Sequence, residues 1–157
     1  MKKMQYFGGL AALLLLASAA PLLAEANFAG QWKMNAARSN FGAIPPPSAM
    51  ERNVTQQGAA ITLRSAQTTA RGEMKSEYKF TTDGKEFTQQ TRSGEVKGTA
   101  RWEGDTLIVE TRRSVQGAEI TSTDRWSLSG DGKAMTVDVT MTTPQGSAQM
   151  SIVFDKQ

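Results

Sequence analysis

The chain has 157 residues, 39% of them hydrophobic, and carries 18 Lys and Arg against 15 Asp and Glu for a formal charge of +3. It contains neither histidine nor cysteine, which excludes disulfides, zinc sites of the His/Cys type, Ser-His-Asp and Cys-His nucleophile systems and His-ligated haem. Basic residues alternate with acidic ones and no basic block stands out, so the electrostatic footprint of a nucleic-acid binder is missing.

At the N-terminus, Lys2 and Lys3 lead into the apolar run from Leu10 to Ala20, with small residues toward Ala24 and Ala26. This pattern predicts a secretory signal peptide over residues 1–24, and Ala24-Glu25-Ala26 offers a small-x-small cleavage pattern that could move the cut to 26. The run falls short of the ~20 residues a membrane span needs. With no cysteine for lipid attachment, the expectation is a soluble periplasmic or secreted protein with no stable membrane anchor. Loss of Lys2 and Lys3 leaves 16 basic against 15 acidic residues, a charge of +1. A single domain over 27–157 is long enough to bury a core without disulfides.

Farther along, 35–42 reads as a helical turn with Asn35 as its N-cap, and Pro45-Pro46-Pro47 forces an extended stretch. From Met50 onward, short alternating runs rich in Thr, Val, Tyr and Phe are broken by turn residues at regular intervals. They predict strands near 28–34, 50–56, 59–69, 74–82, 85–92, 95–102, 106–115, 118–128, 133–142 and 147–155. The connections are too short for parallel crossovers, so consecutive strands should pair antiparallel.

Hairpin loops then set the register. A two-residue Asp83-Gly84 loop pairs Phe80 with Phe87, Tyr78 with Gln89 and Ser76 with Thr91. Ser93-Gly94 places Ala100 beside Phe87 and Gly98 beside Gln89. Gln57-Gly58 sets Val54 against Ile61 and Arg52 against Leu63, and a loop over 70–73 sets Leu63 against Phe80. Gly104-Asp105 and Gln116-Gly117 bring Trp102 to Leu107 and Val109 to Asp124, and a loop over 129–132 brings Met135 to Trp126. One inward parity serves the whole chain, with only Ile108, Val115 and Val153 as apolar residues on the wet face. The fold class is therefore all-β, an antiparallel up-and-down meander of about 8–10 strands that closes into a barrel to avoid long free edges.

The inward residues divide by end. Toward Asp83-Gly84 they are apolar, including Ile61, Leu63, Phe80, Leu107, Trp126 and Phe154. Toward the opposite loops they include Gln67, Ser76, Thr91, Thr111, Arg113 and Ser122 with the softer Met141 and Met150. Buried polar groups without partners cost ~1–3 kcal/mol each, so this end should be open or wet. Gly98 either leaves volume inside the barrel or eases strand bending. Inward Arg52, Arg113 and Asp124 avoid an interior unless paired or hydrated. Either Arg113 reaches the rim and Asp124 pairs structurally with an arginine, or one arginine receives the carboxylate or phosphate head of an amphiphile. The candidate ligand-binding set is Arg52, Gln67, Tyr78, Gln89, Arg113, Asp124 and Met141. One inward carboxylate is not the pair that glycosidase chemistry requires, and no catalytic residue, metal ligand or cofactor is expected.

Phe28-Ala29-Gly30-Gln31-Trp32-Lys33 carries a Gly-x-Trp on the first strand. With the meander that follows, the chain resembles the bacterial exported lipocalin-like proteins of the wider calycin group, which includes lipocalins and fatty-acid-binding proteins. The resemblance implies a barrel in which Trp32 lies across the closed end with a late basic residue, matched by Lys156, packed over it. It also implies a non-enzymatic protein binding a small hydrophobic or amphipathic ligand inside the barrel. The alternative is a structural or interaction module of the cell envelope with a filled interior. Two departures stand out: residues 35–47 replace the helical lid of fatty-acid-binding proteins, and the disulfides of many lipocalins are absent.

Overall fold

The computed structural model describes residues 25–157, so the expected signal peptide lies outside the described residues. Ten antiparallel strands form one sheet: β1 (Gly30–Met34), β2 (Ala49–Gln57), β3 (Ala60–Thr69), β4 (Gly72–Thr81), β5 (Phe87–Thr91), β6 (Gly94–Glu103), β7 (Thr106–Val115), β8 (Ala118–Leu128), β9 (Ala134–Thr143) and β10 (Gly146–Lys156). A 3-10 turn, Ala36–Arg38, follows β1, and the Asn35 side chain caps it by accepting from the Arg38 amide. The strand order is β4-β3-β2-β1-β10-β9-β8-β7-β6-β5. The two ends of the chain thus pair with each other, and the sheet curls into a nearly closed barrel whose free edges, β4 and β5, are consecutive in sequence.

That seam corrects the expected Asp83-Gly84 hairpin. No ladder joins Phe80 to Phe87, Tyr78 to Gln89 or Ser76 to Thr91. The reason is local. Asp83 Oδ1 accepts from Thr81 Oγ1 at 2.7 Å and from the Lys85 amide at 3.2 Å, folding the chain around its own side chain. The Thr82 amide donates to Ala59 O and the Gly84 amide to Ala100 O, both at 2.9 Å. These bonds tie the segment across the barrel end to the β2–β3 turn and to β6, so β4 and β5 splay. The Phe80 and Phe87 rings meet across the seam, stacked 5.3 Å apart.

Elsewhere the inward parity holds, but several pairings differ from expectation by two residues. Gly98 stands beside Phe87 and Val96 beside Gln89. Leu63 pairs with Val54 and Tyr78, and Arg52 with Ser65. Val137, not Met135, faces Trp126. A two-residue shift keeps every side chain on its face.

Three of the turns share one construction, Thr-x-x-Gly. Thr69, Thr91 and Thr143 each accept from the amide two residues on and donate to the carbonyl of Gly72, Gly94 or Gly146. Each glycine sits at positive φ, between 105° and 134°, where a Cβ would be strained. The central pairs Ala70-Arg71, Arg92-Ser93 and Pro144-Gln145 are therefore the loops.

The closed end is a packed plug. Phe28, Ala100, Leu107, Met135, Val137 and Phe154 have no exposed surface, and Trp32 and Trp126 have almost none. Phe28 stacks on Trp102 and meets Trp126 edge-on, at 5.9 and 5.6 Å, and its carbonyl accepts the Trp32 indole N–H at 2.8 Å. Lys156 Nζ lies 5.3 Å from the Trp32 ring, in the place assigned to the late basic residue. Gly30 makes this possible: a Cβ there would come within 2.9 Å of Lys156 Cε.

Two residues expected on the wet face are buried. Ile108 stands between Arg101 and Arg125 in register, and those arginines are bridged by Glu103 at 3.1 and 3.3 Å, so their aliphatic stems cover it. Val153 lies under the segment after β1, whose Asn35 and Ser39 bond its backbone.

Candidate ligand cavity

Above the plug the interior is hollow. One cavity of about 370 Å³ reaches toward the β4/β5 seam, and another of about 450 Å³ lies under residues 41–47. Both fall within the size of small-molecule sites. Arg52, Gln67, Tyr78, Arg113 and Asp124 line both, and Met141 lines the second. The inward parity of β2, β3, β4, β7, β8 and β9 brings them to one chamber.

Gln89 does not join them. The cavities do not touch it, and its amide nitrogen donates to Gln90 O at 3.3 Å. Because β5 pairs only with β6, no ladder brings Gln89 to Tyr78, and the expected pairing of the two is corrected.

Arg52 forms the floor. Its guanidinium carbon lies 4.8 Å from the Phe154 ring centroid and 5.2 Å from that of Trp126, a cation held against two aromatic faces. Its Nε and Nη1 have no contact with solvent and no hydrogen-bond partner. Burial lowers this guanidinium from its ordinary pKa, and the nearby charge of Asp124 partly offsets that.

Asp124 accepts from Ser122 Oγ at 2.7 Å. Burial raises its carboxyl above the usual carboxylate range, opposed by the charge of Arg52 and by that hydrogen bond. Among the described residues the two ions form no salt bridge within 4.0 Å. Tyr78 is raised by burial, against the influence of Arg113.

The sequence treated Trp126 as core, yet it also lines the first cavity, and its indole Nε1 is buried without a partner. Phe41, Ile44, Pro45 and Pro47, from the strap after β1, line the second cavity; from sequence Phe41 reads as part of a helical turn and the prolines as an extended stretch, none of them as lining. The strap is tied to β10 by Asn40 and Ser151, whose backbones exchange two bonds of 2.7 Å, and to β3 by the Ser48 amide on Thr68 O. Its apolar composition was the available signal. A further hollow, on the outer face of β1 to β4, is larger at about 710 Å³. Its Arg64 and Glu77 already pair with each other at 2.6 Å, so those two charges are satisfied without a ligand.

No protein-family model matches the chain, and no curated protein matches it in sequence. Solved structures do match in fold. A secretory abundant heat soluble protein from Ramazzottius varieornatus superposes with a TM-score of 0.62 at 16% identity, over 83% of this chain and 95% of that one. A zebrafish ileal bile acid-binding protein complexed with cholic acid gives 0.56 at 18% identity, over 83% and 98%. Human cRBP IV gives 0.51 at 14% identity, over 84% and 99%. The fold is that of the calycin-type β-barrels.

Proposed function

We propose that this chain is an exported binding protein that holds a small hydrophobic or amphipathic ligand inside the barrel, with an acidic head group against Arg52. The observation that carries this reading is the buried guanidinium with two unpartnered N–H groups at the floor of a hollow chamber. An unsatisfied buried donor costs about 1–3 kcal/mol, and a carboxylate or phosphate would supply the missing acceptors in the fork geometry arginine favours. Met50, Val139, Met141, Met150 and the strap offer an apolar bed for a tail. The zebrafish barrel of the same fold was crystallised with cholic acid, which supports an acidic amphiphile. The chamber itself weighs against the alternative of an envelope module with a filled interior. Export rests on the basic start and apolar run of residues 1–24 and places the protein in the periplasm or outside the cell.

Native mass spectrometry of protein purified from its own host should show a retained lipid-sized adduct, and dodecanoate should quench the fluorescence of Trp126. Arg52→Met should keep the fold and weaken dodecanoate by about tenfold to a hundredfold, the value of one hydrogen-bonded charge. Equal affinity in the variant would remove Arg52 from the site.

A further inference from the structure

The charges in the chamber do not add up to a site ready for an anion. Asp124 on β8 already faces the region of Arg52 on β2, and Tyr78 on β4 and Arg113 on β7 line the same cavities, Tyr78 feeling the charges of both Arg113 and Asp124. Lys75 and Arg92 stand at the seam side of the first cavity, and β9 and β10 present only Val139, Met141, Met150 and Ile152. A carboxylate bound to the free Nε and Nη1 of Arg52 would therefore share one buried cation with Asp124. Two carboxylates confined together cannot both stay ionised without a large penalty.

We propose that an acidic ligand enters this chamber together with one proton, which Asp124 and the ligand's carboxyl group share, so that Arg52 faces one negative charge and not two. This rests on the reading of the cavity as a site for an acidic amphiphile. The step balances: a ligand carboxylate and a solvent proton go in, the carboxylate takes the Arg52 donors, and the Asp124 carboxylate becomes a carboxylic acid. No bond other than O–H forms or breaks. Asp124 is placed for this, since Ser122 occupies one oxygen at 2.7 Å and the residue lines both cavities beside Arg52. The ordinary result of burial, a carboxyl that protonates more readily, favours the same outcome. Asp124 then acts as an internal counter-ion that the ligand displaces, and affinity rises as pH falls. The sign follows from linkage: the bound state holds more protons than the free state, so acid favours it.

The test is titration calorimetry of the full mature chain with dodecanoate, in phosphate and in Tris, with dodecanol as the uncharged probe. The proposal expects close to one proton taken up per dodecanoate and none per dodecanol. Dodecanoate affinity should weaken as pH rises above the usual carboxylate range, by up to about tenfold per pH unit, as one-proton linkage requires. Asp124→Asn should abolish the proton uptake, flatten the pH profile and tighten binding at the alkaline end. If Asp124→Asn does not fold, the proton count on the native chain decides alone. Dodecanoate binding with no proton uptake would overturn the proposal and leave the ligand reading intact. Failure of dodecanoate to bind at any pH would overturn both.

Discussion

Gly98 shows how a position that the sequence leaves open is decided by contact. A glycine on the inner face of a strand suggests spare room. In the structure a Cβ at Gly98 would lie 2.5 Å from the Glu110 carbonyl oxygen and 2.6 Å from Phe87 Cζ. The ring of Phe87 lies over the bare backbone, so the glycine is filled by its cross-strand partner and adds no volume to the cavity. Gly98→Ala must push the ring or the neighbouring strand aside, and overpacking of this kind costs about 1–3 kcal/mol. Urea denaturation should show a lower midpoint with an unchanged slope; a variant within about 0.5 kcal/mol of the parent, the range of an ordinary surface change, would mean that the ring does not rest there. The inward direction of Arg52, Arg113 and Asp124 was legible because strand parity needs only a count of two. That Arg52 stacks on Trp126 and Phe154 was not, because ring contacts depend on register and rotamer together.

At the level of elements, the turn at Asp83 carries the largest lesson. Its dipeptide has the composition of a tight hairpin, but composition does not reveal whether the strands on either side remain neighbours. The side chain of Asp83 accepts from Thr81 and from the Lys85 amide, and Lys85 Nζ lies 3.0 Å from its other oxygen. These hydrogen bonds, that from Thr81 first, hold its pKa at about 2, below the ordinary 3.8. A carboxyl depressed in the folded state stabilises the protein above its unfolded pKa, and that contribution is lost as pH falls through the folded value. Asp83→Asn should therefore lower the melting temperature at neutral pH, and the difference from the parent should shrink as pH drops from about 4 to about 2. A difference that stays constant over that window would show that the charge does not matter to the turn. The Thr-x-x-Gly turns teach the complementary point. Ten strands and one parity could be read from the chain because burial repeats every second residue. The two-residue errors at 70–73 and 93–94 came from placing glycine inside the loop, when the threonine hydroxyl and the positive φ of Gly72 and Gly94 put it just after.

For the molecule as a whole, the seam determines where the barrel can yield. β7 pairs with β6 and β8 along its length, whereas β4 pairs only with β3, and β5 only with β6 over Phe87–Thr91. Alternate amides on β4 and β5 therefore point across the seam with no strand to receive them, and exchange protection follows such bonding. Closure of the sheet was foreseeable from the cost of long free edges, but the position of the opening was not, since it follows from the fastening of residues 82–84 to the β2–β3 turn and to β6. Hydrogen exchange should find seam-facing amides of 73–81 and 87–91 far less protected than those of β7 and β8. The first cavity is lined on both sides of this seam, by Met74, Ser76 and Tyr78 from one edge and by Phe87 and Thr91 from the other. A ligand filling it bridges the two edges, so saturating dodecanoate should slow exchange on β4 and β5 more than on β7 and β8, where the bonds are already complete. Equal protection on all four strands in the free protein would mean the barrel is closed in solution; protection unchanged by a ligand that demonstrably binds would place that ligand away from the seam.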